Sequence, residues 1–175
     1  MHIVLFEDNQ CDNMRPIGLF RPLWDIYAGS LTLMNVAGSL GERTGCLRRE
    51  YFFSENAAPD VLPDGARRIL FLNASIEPDI RYREKIADLL KAGDPFLTTS
   101  GNRVSAALVS SIKKLGTDIS CRNISARLLE QGLPLEDEFF RTIDWPHMAV
   151  EAHLRLFPGN LQHLISSGKY REKAK

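Results

Sequence analysis

The chain has 175 residues, 44% of them hydrophobic and 25% charged, proportions that exclude a disordered, collagen-like or membrane-embedded class. Basic and acidic residues balance at 22 each, so no global field favours nucleic acid or an anionic membrane, and any phosphate site has to be local. Cys11, Cys46 and Cys121 are widely spaced and form no CxxC pair, which fits reduced thiols in a cytoplasm rather than a disulfide framework or zinc knuckle. Met1 leads directly into an apolar run with no basic leader, and no apolar stretch reaches membrane length, so nothing directs the chain to export. The length fits one domain over residues 1–175, closing in a charged tail at 168–175.

Ile3 to Phe6 is too short for a buried helix and carries two β-branched residues, which predicts a central strand. It opens onto the polar cluster Glu7, Asp8 and Asn9, a position where ligands meet open α/β sheets. Pro16, Gly18 and Pro22 then keep residues 8–25 in a structured loop. From Ser30 onward, Leu31, Leu33, Met34, Ala37 and Leu40 have helical spacing, with Ser30 or Gly29 as the expected cap. Backbone N–H groups at that helix start form a further expected phosphate contact.

Tyr51 to Phe53 reads as a short second strand, followed by a polar connection through Asn56, Pro59, Pro63 and Gly65. Ile69 to Leu72 is the clearest later strand, ending in Asn73 and Ser75, and a helix is expected from Asp79 to about Lys91, stopped by Gly93. Phe96 to Thr99 and Val104 to Val109 flank the Gly101-Asn102 turn signal and predict an antiparallel hairpin. Ser125 to Gln131 reads as a short helix closed by Gly132, whereas Leu135 to Phe140 is ambiguous between helix and strand. Trp145-Pro146 breaks the chain, and Pro158-Gly159 is expected to separate two final helices, His147 to Leu156 and Asn160 to Ser167. The alternation of strands and helices favours an α/β fold with a mainly parallel sheet.

The fragments FEDN, RPxxDIYxG, LT and FLNA occur in this order, and Arg21, Pro22, Asp25, Gly29, Leu31 and Thr32 fit the pattern RPxxDxxxGxLT. On these residues the sequence resembles the sugar nucleotidyltransferase domain found in bacterial proteins similar to N-acetylglucosamine-1-phosphate uridylyltransferase. The resemblance implies a Rossmann-like nucleotidyltransferase fold of three layers with a mainly parallel, mixed sheet. It implies transfer of a nucleoside monophosphate from a nucleoside triphosphate to a sugar 1-phosphate, with release of pyrophosphate and a requirement for Mg²⁺. In that family a β-helix of hexapeptide repeats usually follows, and the present chain looks like an isolated N-terminal domain. Well-characterised relatives carry a glycine-rich loop after the first strand, where Glu7, Asp8 and Asn9 stand here.

Carried onto this sequence, the resemblance makes Arg15 and Arg21 the expected phosphate clamps and Asp8 the Mg²⁺ ligand. Glu7, Asn9, Asp25, Gly29, Asn73, Ser75, Asn102 and Arg103 are the expected contacts to nucleotide or sugar. Each residue also has a structural alternative. Arg21 could pair with Asp25, Asp8 and Asn9 could only terminate the strand, Gly29 could answer a backbone requirement, and Asn73 could form a turn. Trp24 and Tyr27 would pack in the core or a lid, and Asn102 with Arg103 would form a solvated hairpin tip. A non-catalytic nucleotide or sugar-nucleotide binding domain, or a homo-oligomeric structural module, are the alternative functions; no nucleic acid or membrane partner is expected.

Overall fold

The structure, a computed structural model, describes residues 2–47, 49, 68–116, 118–137 and 139–168, the side chains of Arg43 and Lys114 excepted. Six strands form one mixed sheet: β1 (His2–Phe6), β2 (Arg43–Leu47), β3 (Ile69–Asn73), β4 (Phe96–Ser100), β5 (Arg103–Val109) and β6 (Leu135–Glu136), in the order β2-β1-β3-β5-β4-β6. β1 pairs parallel with β2 and β3, β4 pairs parallel with β6, and β5 runs antiparallel to both of its neighbours. Five strands therefore end at the same edge, and β5 alone begins there. Among the described residues, helices α1 (Leu33–Gly38), α2 (Tyr82–Ala92), α3 (Ile124–Leu129) and α4 (Pro146–Ser166) and several short 3-10 turns accompany the sheet.

Period-2 alternation in the strands divides the core between two faces. Ile3, Leu5, Leu70, Leu72 and Leu108 pack with Val36, Ile86, Leu90, Ala152 and Leu156 of α1, α2 and α4. Val4, Phe6, Ile69, Phe71 and Val109 pack on the other side with Ile124 and Leu128 of α3. The result is the three-layer α/β arrangement expected. β1 and β3 are buried on both faces, which is why they read as continuous apolar runs. The hairpin forms as expected, with a bulge where Thr98 pairs with Ala106 but Thr99 pairs with Val104.

The strand that follows α1 is Arg43–Leu47, whose sequence RTGCL carries no apolar alternation; among the described residues it pairs with β1 alone, at the sheet margin. The stretch Tyr51 to Phe53 and the connection through Gly65 lie outside the described residues, as does the tail beyond Gly168. The cap of α1 is Thr32, not Ser30 or Gly29. Its Oγ1 accepts from the Asn35 N–H at 3.1 Å while Asn35 Oδ1 accepts from the Thr32 N–H at 3.0 Å. Gly29 and Ser30, with φ of 62° and 71°, form instead a tight turn between Ala28 and Leu31.

The two terminal helices are one. α4 runs through Pro158 because Ala149, Ala152, Leu156, Asn160 and Leu164 make one continuous buried face across it. Asn160 fixes the second half by accepting from the Ile80 N–H at 3.0 Å and donating to the Pro78 carbonyl at 2.8 Å. Pro158 sits on the exposed side, where water can serve the carbonyl that its missing N–H leaves unpaired. Among the described residues no helix is long and apolar enough to cross a membrane.

Gly29 lies against the middle of α4, where a Cβ would sit 2.5 Å from Leu156 Cβ and 2.8 Å from its carbonyl carbon. Left-handed strain and overpacking together predict that Gly29→Ala lowers unfolding free energy by roughly 2–4 kcal/mol, measured by urea denaturation.

Candidate active site at the carboxyl edge of the sheet

Because five strands end at one edge, their last residues and successors converge there. Asp8 follows β1, Arg49 follows β2, Asn73 ends β3, Ser100 ends β4, and Arg103 opens β5. Arg103 is the centre of this group. Only 2% exposed, its guanidinium donates from Nη2 to Asp8 Oδ1 at 2.6 Å and from Nε to Asp8 Oδ2 at 2.8 Å, while Nη1 reaches Asp144 Oδ1 at 2.7 Å. The solvated hairpin tip considered for this residue is thereby corrected: the backbone turn is exposed at Asn102, but the arginine side chain turns into the protein.

Asn73 completes the support. Its Nδ2 donates to Asp8 Oδ2 at 2.7 Å and to the Val104 carbonyl at 2.9 Å, and its Oδ1 accepts from the Ser75 N–H and hydroxyl at 3.0 and 2.8 Å. Asn73 and Ser75 are both buried, with their polar atoms engaged inside the protein, where they orient Asp8. Asp8 also caps the short 3-10 turn Asn9–Met14 by accepting from the Gln10 N–H at 3.0 Å. The strand-terminating role and the site position thus coexist in one side chain.

Burial works against the charge of Arg103, yet its hydrogen bonds to Asp8 and Asp144 and the field of Asp8 more than offset this and raise its pKa above the usual arginine value. Cys11, whose Sγ lies 3.3 Å from Arg103 Nη2, also has its pKa raised, which for a thiol disfavours the charged form. Burial pushes its thiol well up, Arg103 partly restores it, and the carboxylates of Asp8 and Glu7 push it higher again.

Two clefts flank Arg103. The first, about 350 Å³, is bordered by Asp8, Asn9 and Asp12 with the guanidinium groups of Arg15, Arg49 and Arg122. Arg15 pairs with Asp12 at 3.1 Å, and Asn9 Nδ2 donates to the Arg122 carbonyl at 3.4 Å. Arg49 is 6% exposed and braces the loop, donating from Nη2 to Glu7 Oε1 at 2.9 Å and to the Gly18 carbonyl at 2.8 Å. Glu7, fully buried, also accepts from the backbone N–H groups of Leu23 and Arg49, each at 3.1 Å. The second cleft, about 310 Å³, contains Glu77, Asp144 and Glu151 with Arg141 and Arg155, and the hydroxyls of Ser100 and Thr142. Thr142 Oγ1 lies 3.3 Å from both Ser100 Oγ and Asp144 Oδ2. Glu77 accepts from Arg155 through Oε1, whereas its buried Oε2 accepts from no group of the protein.

The structure therefore brings together Asp8, Asn9, Arg15, Asn73, Ser75 and Arg103, with Glu7 behind them as a brace. Arg21 is exposed and does not border the first cleft, Asp25 is half-buried at the end of the 3-10 turn Leu23–Asp25, and Gly29 packs on α4. Sequence reasoning missed Arg49, Arg122, Glu77, Thr142 and Asp144. Arg49 would have been found as a strand-end arginine had β2 been recognised; the others reach the edge only through tertiary folding.

Among the described residues no group of three His, Cys, Asp or Glu side chains converges as a metal cluster. Asp8, the expected Mg²⁺ ligand, has both oxygens engaged by Arg103, and the neighbouring Asp12 Oδ1 is held by Arg15. Mg²⁺ needs several hard oxygen donors in near-octahedral geometry, so this donor set does not fit it as arranged.

Removing Arg103 would leave a buried carboxylate uncompensated, and Arg103→Ala is expected to cost about 3–5 kcal/mol in urea denaturation. Cys11 supplies a pH test. The unfolded thiol ionises near about pH 8.5 while the folded one does not, so the native state retains the proton that the unfolded state loses. Its contribution to stability is complete below that pH and falls by up to about 1.4 kcal/mol per unit above it. Comparing denaturation of wild type and Cys11→Ala at about pH 8 and 10 should show a shallower decline in the variant.

A comparison with curated proteins found no match. The family model described as sugar nucleotidyl transferase matches residues 3–156, from the first strand into the last helix and across all the residues of the edge. The chain belongs to the sugar nucleotidyl transferase family.

Proposed function

We propose that the protein transfers a nucleoside monophosphate from a nucleoside triphosphate to a sugar 1-phosphate. The observation that carries this reading is the buried Arg103, which holds a carboxylate of each cleft and so fixes a cleft of three arginines and two carboxylates beside one of three carboxylates and two arginines. Arg15 and Arg122 in the first cleft suit the triphosphate, since guanidinium forks match phosphoryl oxygens. In the second, Asp144, Glu151 and the unpartnered Oε2 of Glu77 suit the hydroxyl donors of a sugar.

The sugar phosphate oxygen attacks the α-phosphorus, a new P–O bond forms, and the bond to the β-phosphate oxygen breaks as pyrophosphate leaves. The attacking oxygen is already ionised near neutral pH, so no strong general base is required. The main demand is to stabilise charge accumulating on the leaving pyrophosphate, and Arg15 and Arg122 meet it from the first cleft. Arg103 acts through Asp8 and Asp144 as a positioning residue.

The test is pyrophosphate release from the four nucleoside triphosphates and a panel of sugar 1-phosphates, with and without Mg²⁺. Release is the expected result; none across the panel, from protein with a cooperative thermal transition, would refute turnover. Arg122→Ala is expected to weaken nucleotide binding about 10- to 100-fold while leaving the thermal midpoint nearly unchanged. A second reading, nucleotide binding without turnover, is favoured by the acidic residues in place of a glycine-rich loop and by the engaged oxygens of Asp8. Calorimetric binding without pyrophosphate release would select it.

A further inference from the structure

A third cleft, about 720 Å³, opens between the start of α2 and the middle of α4, on the far side of Arg141 and Arg155 from the second cleft. Four cationic side chains border it: Arg81, Lys85, Arg141 and Arg155. Among the described residues the sole carboxylate on its lining is Asp79, and both oxygens of Asp79 are already held by Arg81. Arg155 is paired with Glu77. Lys85 lies 3.9 Å above the ring of Phe139, and neither it nor Arg141 has a carboxylate partner among the described residues. In a chain whose formal charges sum to zero, this is a concentrated positive field in a concave wall.

The start of the 11-residue α2 is satisfied from within: Asp79 Oδ1 accepts from the Arg81 N–H at 3.0 Å, Asn160 Oδ1 accepts from the Ile80 N–H at 3.0 Å, and Glu84 lies in the first turn. The charge offered to a ligand is therefore that of the side chains, with Lys85 and Arg141 the two that no carboxylate answers among the described residues. Lys85 covers one face of Phe139, and the rings of Phe96 and Phe140 stand nearly perpendicular to it.

We propose that this cleft, which meets the second cleft at Arg141 and Arg155, is an anion site that takes a small molecule carrying a diphosphate. Two linked phosphoryl groups match four cations better than one, and the volume lies within the range of small-ligand sites. The site does not depend on the transferase reading, because occupancy is measurable whether or not the protein turns over.

Calorimetry with inorganic pyrophosphate at low ionic strength tests it in an Arg15→Ala/Arg122→Ala background, which removes the exposed arginines of the first cleft. Pyrophosphate is expected to bind that protein, and adding Lys85→Glu, a residue of this cleft and not of the other two, is expected to weaken binding at least about tenfold with an unchanged thermal midpoint. Lys85→Gln, expected to give a smaller loss, replaces the reversal if that variant fails to fold. No binding in the background protein, or equal binding after either change, overturns the proposal. Inorganic phosphate is expected to bind more weakly, and phosphate as tight as pyrophosphate overturns the diphosphate assignment. A nucleoside triphosphate that binds tighter than pyrophosphate identifies a nucleotide as the source, and equal affinity identifies the free diphosphate; both support the site.

Discussion

The arrangement at the sheet edge depends on one guanidinium. Arg103 satisfies Asp8 with two nitrogens and Asp144 with a third, and only a planar fork can do this at once. Such a group is worth little in net stability compared with a well-packed apolar replacement, because burying charges costs several kcal/mol on its own. Its value lies in geometry: the carboxylate after β1 and the segment leading into α4 are held at fixed positions, and a cleft opens on either side. Asn73 supports the same carboxylate from the neighbouring strand, so Asp8 is positioned from both β3 and β5.

A first strand followed by two acids would repel a triphosphate. The folded chain answers each acid differently. Glu7 is withdrawn into the core, where it gathers Leu23 and Arg49 and shapes the loop; Asp8 stays at the cleft but is matched by Arg103. What borders the first cleft is three arginines, Arg15, Arg49 and Arg122, against two carboxylates, Asp8 and Asp12, with Arg15 paired to Asp12 and Arg49 to Glu7.

Where sequence and structure agree, the signals are those that strands and hairpins carry locally: Ile3 to Phe6, Ile69 to Leu72 and the Gly101-Asn102 turn are each legible within a few residues. The boundary errors arise where tertiary packing overrides local preference. Pro158-Gly159 would end an isolated helix, but the buried face through Asn160 carries α4 across it. β2 has no apolar pattern and is a strand only because β1 offers it a partner. For the site, Asp8, Asn9 and Arg15 were legible because they follow a readable strand. Arg122, Thr142 and Asp144 were not, since more than a hundred residues separate them from Asp8 and no local pattern marks their approach.

The bulge in the hairpin has a consequence for which face of the sheet receives the central charge. In a regular strand Arg103 would share a face with Ala107 and Val109, toward α3. The extra residue between Val104 and Ala106 inverts that phase: Val104 joins the α3 side, and Arg103, opposite Ser100, falls on the side of Ala106 and Leu108 where α4 packs. Were the same seven residues straightened into a regular ladder, the core from Ala106 to Val109 could persist while the arginine turned toward α3, leaving Asp8 and Asp144 unmatched. The single irregularity in the ladder is thus a switch of parity, and the chemistry at the edge exists on only one of its two settings.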